Sequence, residues 1–260
     1  DGWEEKVSSS DIIIACMGEL PATEKPGDID DLTLELAQLE YLELLAKFNK
    51  PIVLVLFEAR PRIINRIEKL CDAVIQAYYP SEEGTPALAD ILIGKVNPSG
   101  KLPYTYPKFV NNLLCYDYKI TEGIDDAYGM GAFNPQFEFG TGLSYTNYEY
   151  SDFELLNGES ASKNDDLKFK VKIKNIGSRD GKEVVMLFIA DRYASITPSV
   201  KRLRDFKKLF IKAGETRTVE FEVPAERLSF VGRDNKWILE EGDFEALCGD
   251  QKISFQILEG

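Results

Sequence analysis

Five carboxylic acids fall within one short stretch, Gly18-Glu-Leu-Pro-Ala-Thr-Glu-Lys-Pro-Gly-Asp-Ile-Asp-Asp31: Glu19, Glu24, Asp28, Asp30 and Asp31, with Lys25 the one base among them. A carboxyl group can give a proton to a leaving oxygen near neutral pH when burial or a nearby negative charge raises its pKa. A cluster of acids can instead hold a divalent cation, but the spacing here lacks the calcium-loop pattern. A solvated acidic loop is the commoner reading of residue types alone. Histidine is absent from the whole chain, which excludes Ser-His-Asp or Cys-His catalysis by its own residues and any histidine-ligated metal. No GxGxxG, GxxxxGK[ST] or GxSxG string occurs. No cofactor and no metal site is expected.

The elements around this stretch must place it. Asp11–Gly18, Pro51–Phe57 and Ala73–Tyr79 are short apolar runs of the kind buried on both faces of a parallel sheet. Between the first two, Leu36, Leu39, Leu42 and Leu45 recur at helical spacing, with Thr33 as N-cap and Asn49-Lys50-Pro51 as the stop. Pro61 opens a second expected helix carrying Ile63, Ile64, Ile67 and Leu70. Pro86 opens a third, stopped by Gly94. Strand and helix alternate, which predicts a partial, doubly wound, mostly parallel α/β sandwich over residues 1–107. In such sheets the loops beyond the carboxyl ends of the strands carry the chemistry, which directs attention to the loop holding Glu19 and Glu24.

Residues 150–260 change period. Leu167–Lys174 alternates strictly between apolar residues and lysine, and Thr216–Val223 alternates too. Turn signals recur at Asn157-Gly158, Asp180-Gly181, Ala213-Gly214 and Glu241-Gly242. This predicts an antiparallel β-sandwich of the immunoglobulin or fibronectin type III kind, with the lysine row a solvated face and a blunted edge. Residues 108–149, rich in Gly, Tyr and Asn, are too long for an idle loop and are expected to pack over a domain surface. The aromatic run Phe137–Tyr145 is read as packing between domains.

The chain has 260 residues and a formal charge of −13, from 31 basic and 44 acidic groups. Most of the excess lies early: residues 1–107 hold 10 basic and 18 acidic groups, whereas residues 150–260 hold 19 and 20. An acidic chain is a poor binder of phosphate backbones, so no nucleic-acid partner is expected. No apolar run is long enough to span a bilayer, so no membrane partner is expected either. The opening Asp1-Gly2-Trp3 reads as the middle of a longer protein. Cys16, Cys71, Cys115 and Cys248 lie far apart and are expected to be buried free thiols.

In order along the chain, Gly18-Glu19 with Thr23-Glu24-x-x-Gly27-Asp28, Lys50-Pro51, Arg60-Pro61-Arg62-Ile63-Ile64, Asn97-Pro98-Ser99-Gly100-Lys101-Leu102-Pro103, Phe139-Gly140-x-Gly142-Leu143-Ser144-Tyr145-Thr146 and Asp180-Gly181-x-Glu183-Val184-Val185 resemble the C-terminal part of family 3 glycoside hydrolases. The resemblance implies a retaining, exo-acting, β-glucosidase-like hydrolase acting on a β-linked oligosaccharide or glycoside. It implies that the general acid/base comes from the α/β domain. Glu19 is the first choice for that role and Glu24 the rival. The nucleophile of the family is an aspartate on an N-terminal TIM barrel, whose motif is not in this sequence, so the chain alone is expected to be inactive. Ala59, where the family has glycine before the arginine, is a departure. A non-catalytic carbohydrate-binding or structural module is the alternative. The fibronectin-like part would brace the α/β part or contact a second subunit in a homo-oligomer. Relatives with this architecture are often periplasmic or secreted.

Overall fold

In a computed structural model, which describes residues 2–112, 114–122 and 133–259, the chain divides into two compact units. The first comprises Asp1–Ile93, Thr105–Leu113 and Asn134–Glu138; the second comprises Gly94–Tyr104, Leu114–Phe133 and Phe139–Gly260. The 108–149 segment thus contributes to both units, and its residues 113 and 123–132 lie outside the described residues.

The first unit holds α1 (Trp3–Ser9), β1 (Ile13–Gly18), α2 (Leu36–Ala46), β2 (Ile52–Phe57), β3 (Ala73–Gln76) and α3 (Gly84–Leu92). Its sheet has the order β1-β2-β3 and is parallel throughout, with Ile13 opposite Ile52 and Val53 opposite Ala73. Central β2 explains the unbroken apolar run: Ile52, Leu54, Val55 and Leu56 are at most 1% exposed. In contrast, β1 alternates, leaving Ile14 and Cys16 exposed. Leu39, Leu42 and Leu45 form the buried stripe of α2, as their spacing requires. The strand order does not reverse among the described strands, so the switch point of a doubly wound sheet is not found within them.

Several local expectations fail for physical reasons. Helix α2 starts at Leu36 with Glu35 as N-cap, not Thr33, because Thr33 is drawn into a parallel bridge with Ile63. That bridge also stops Pro61–Leu70 from becoming a helix. Ile63 donates its N–H to Leu32 and accepts from Leu34, and only Glu68–Leu70 coils, as a 3₁₀ turn. The β-branched residues Ile63 and Ile64 cost little in this extended setting. The cysteines are free, but only Cys248 is buried; Cys16 and Cys115 are exposed.

The second unit is a sandwich of two sheets, β5-β13-β12-β7-β8 and β4-β6-β9. The first contains β5 (Ser160–Ser162), β7 (Gly181–Asp191), β8 (Arg202–Ile211), β12 (Gly242–Cys248) and β13 (Gln251–Leu258); the second contains β4 (Tyr148–Leu155), β6 (Asp166–Asn175) and β9 (Thr216–Pro224). A short hairpin, β10 (Phe230–Val231) with β11 (Trp237–Ile238), stands apart from both sheets. Inward residues of β6, β7 and β9 form the core, with Phe169 stacked on Phe153 and edge-on to Phe255. The lysines of β6 face outward but do not mark an edge, since β6 lies between β4 and β9. Lys170 pairs with Glu154 and Lys172 with Asp152, acids contributed by β4. Phe137 meets Tyr106 edge-on in the first unit, and Phe139 packs on Tyr116 and Phe188 in the second.

Candidate active site

The parallel strands β1, β2 and β3 deliver three loops to one edge of the first unit: residues 18–35, 58–62 and 77–83. The first loop begins under tight control. One side-chain amide, that of Gln38 on α2, holds both backbone groups of Gly18: the Gly18 N–H donates to Oε1 at 2.9 Å and its carbonyl accepts from Nε2 at 2.7 Å. Gly18 has φ +151°, and a Cβ there would lie 2.0 Å from the carbonyl oxygen of Phe57. Gly18→Ala is therefore expected to cost about 2 kcal/mol, because β1 and β2 must shift apart. Urea unfolding of the variant checks this; an unchanged midpoint would mean that the close approach is not real.

Glu19 then turns into the protein. Its side chain is 6% exposed, and five hydrogen-bond donors and a second guanidinium reach its two oxygens. Oε1 accepts from the N–H of Ala59 at 3.0 Å, the N–H of Arg60 at 3.3 Å and the hydroxyl of Tyr79 at 3.1 Å. Oε2 is 2.5 Å from Nη2 of Arg60, 3.1 Å from its Nε and 3.5 Å from Nη1 of Arg62. Burial pushes the carboxyl up, but the Arg60 guanidinium, the two backbone N–H groups and Tyr79 outweigh it, and the pKa is lowered from 4.5. Glu19 is an ionised carboxylate at neutral pH. A general acid needs the opposite shift.

Arg60 does more than pair with Glu19. Its Nη1 donates to the carbonyl of Gly27, where the loop returns. The N–H of Gly27 in turn donates to the carbonyl of Glu24 at 2.8 Å. The Glu19–Arg60 pair thus ties the start of the loop to its return, and Glu24 sits between the two anchors. Glu24 holds a positive φ of 55°, is exposed, and its carboxyl makes no hydrogen bond or ion pair with the described residues. Asp28 and Asp30 are also exposed, while Asp31 is spent on the N–H of Thr33. Among the described residues, no three acids or cysteines come close enough to hold a metal ion.

The clamp borders a pocket of about 500 Å³ lined by Gly18, Glu19, Leu20, Ile29, Arg60 and Arg62, among others. That is within the usual range for small-ligand sites. Sequence reasoning found the loop but missed its clamp. Tyr79 was assigned to the third strand, yet that strand ends at Gln76 and frees Tyr79 to reach Glu19. Arg60 pairs with Glu19 from a place three residues past the end of β2, and that placement was the available signal.

Comparison with known proteins gives these parts a context. Residues 2–145 match the glycosyl hydrolase family 3 C-terminal domain, and residues 183–252 match the fibronectin type III-like domain. A lysosomal beta glucosidase of Dictyostelium discoideum is 38% identical over 264 residues, which cover 97% of this chain and 31% of that protein. A periplasmic beta-glucosidase of Salmonella typhimurium is 30% identical, over 94% of this chain and 33% of its own length. The crystal structure of a beta-glucosidase from Listeria innocua in complex with gluconolactone superposes with a TM-score of 0.89 at 27% identity, covering 99% of this chain and 38% of that one. The chain therefore spans about a third of the length of these relatives.

Proposed function

The chain belongs to glycoside hydrolase family 3, and from that premise we propose that it is the C-terminal portion of a retaining, exo-acting, β-glucosidase-like hydrolase whose β1 loop supplies the general acid/base. The observation that carries this reading is the loop itself: an exposed carboxyl, Glu24, held between two anchors, Glu19 and Gly27, that themselves line an open pocket at the carboxyl edge of a parallel sheet. Within the loop we assign the proton to Glu24. Glu19, first choice from the resemblance, is held ionised by Arg60 and is better suited to bracing the loop.

In a retaining mechanism two carboxyls stand about 5–5.5 Å apart across the scissile bond. The nucleophile, on the barrel that the family carries N-terminally, attacks the anomeric carbon and forms a glycosyl ester. Glu24 gives its proton to the departing oxygen, then takes one from the water that cleaves the ester. The substrate class is a β-linked oligosaccharide or glycoside. No helix among the described residues is long and apolar enough to cross a membrane. Likeness to a periplasmic and a lysosomal enzyme supports a periplasmic or secreted setting.

The test is stereochemical. Proton NMR of an aryl β-glucoside digest by the longer, barrel-bearing protein should show the β anomer as first product. A first-formed α anomer would overturn the retaining reading. The 260-residue chain by itself should give no turnover in the same assay.

A further inference from the structure

Behind the clamp lies a second carboxyl, Glu58, at 0% exposure. The hydroxyl of Tyr106, itself 1% exposed, sits between two oxygens: 2.6 Å from the carbonyl of Arg62 and 2.8 Å from Oε1 of Glu58. A phenol has one proton to donate, and a carbonyl can only accept. The shorter contact takes the phenol's proton. The contact to Glu58 is then a hydrogen bond only when the carboxyl brings a proton of its own and donates it to the phenol oxygen.

The rest of the surroundings agree. Oε2 of Glu58 is buried with no hydrogen-bond partner, a vacancy that a neutral acid tolerates far better than a carboxylate does. No arginine or lysine lies within ion-pair distance of it among the described residues. The groups that face Glu58 are the Tyr106 hydroxyl, the Arg62 N–H at 3.3 Å, the Gln76 amide, which donates to the Glu58 carbonyl at 3.4 Å, and the negative charge of Glu19. Nε of Arg62 is likewise buried and without a partner, while the other end of that guanidinium reaches Glu19 and the carbonyl of Thr33.

We infer that Glu58 carries a proton in the folded chain and acts as a positioning residue: neutral, it leaves Arg62 on Glu19, and ionised, its vacant Oε2 draws Arg62 away. Its bearing on catalysis rests on the loop reading above; the proton itself does not. Burial pushes the Glu58 pKa up to about 7, and the charge of Glu19 adds to the rise. The folded chain therefore binds more protons than the unfolded chain from about the ordinary carboxyl pKa of ~4.3 up to 7. Stability from this group is complete below that window and is lost as pH climbs through about 7.

Carbon-13 NMR of the chain labelled at glutamate Cδ tests this without measuring activity, so its failure is separable from failure of the enzymatic reading. One Cδ resonance, missing in Glu58→Gln, should titrate near pH 7. The Cδ of Glu19 should show a second, smaller inflection at the same pH, absent in E58Q. If every glutamate titrates in the ordinary range or below, the protonated Glu58 is wrong. If Glu58 titrates near 7 and Glu19 does not respond, the exchange of Arg62 is wrong. Should E58Q fail to fold, the wild-type titration still decides the first point, and Arg62→Lys, which removes the unpartnered Nε, decides the second by weakening the Glu19 inflection.

Discussion

Replacing Glu24 with alanine in the barrel-bearing protein is expected to lower kcat for an alkyl β-glucoside by about 10²–10⁴-fold, the usual worth of a positioned proton donor. The loss should shrink for an aryl glucoside whose leaving group needs no proton. The fold should survive, because Glu24 is exposed and its side chain holds nothing in place among the described residues. Steady-state kinetics on the two substrates, with circular dichroism as the control, check both halves. Near-normal turnover of the alkyl substrate would move the role to another carboxyl at the same sheet edge, such as Glu82 or Glu83 in the loop after β3.

Glu19→Gln should behave in the opposite way. The substitution keeps the shape but leaves Arg62, whose side chain is 6% exposed, with only the exposed Glu35 carboxylate at 4.0 Å as a charge partner, and weakens the hold on Arg60. Removing one member of a buried pair typically costs 3–5 kcal/mol. Arg60 is a third exposed, so solvent recovers part of that, and a loss of about 3 kcal/mol is expected. Urea unfolding of the 260-residue chain measures it. The contribution also has a pH signature. The folded Glu19 pKa is lowered, so its stabilisation is present above pH ~4.3 and is lost as pH falls through the depressed value. A Glu19→Gln midpoint equal to wild type would mean that the clamp does not brace the loop.

Much of this was readable before any coordinates. The unbroken Ile52–Phe57 run demanded a strand covered on both faces, and β2 is the central strand of its sheet. The Leu36–Leu45 spacing demanded a helix, and three of its four stripe residues, Leu39, Leu42 and Leu45, are buried, while Leu36 at the first turn is exposed. Strict alternation in Leu167–Lys174 gave the sandwich its inward face, because a two-residue period has one way to bury apolar side chains. Long-range pairing was what the residues could not announce. The Ile63–Thr33 bridge cancels a helix that local spacing favoured, and the order of strands decides whether a lysine row lies at an edge.

The site divides in the same manner. Gly18-Glu19 and the acids behind it mark the loop by type and by position after a strand. Which acid is spoken for depends on Arg60, Arg62 and Tyr79, 41, 43 and 60 residues away in sequence, and no local pattern couples them to Glu19. Glu58 was equally hidden. Its environment is set by Tyr106, 48 residues on, and in sequence it is one more acid after a strand.

Azide is the most direct probe of the claim that Glu24 handles the proton. A small anion can enter the space left by Glu24→Ala and attack the glycosyl ester without needing a base. The account predicts faster turnover of an activated aryl β-glucoside by this variant as azide is added, with β-glucosyl azide as the product by NMR. No acceleration and no glycosyl azide from E24A, with both appearing instead in E19A, would contradict it.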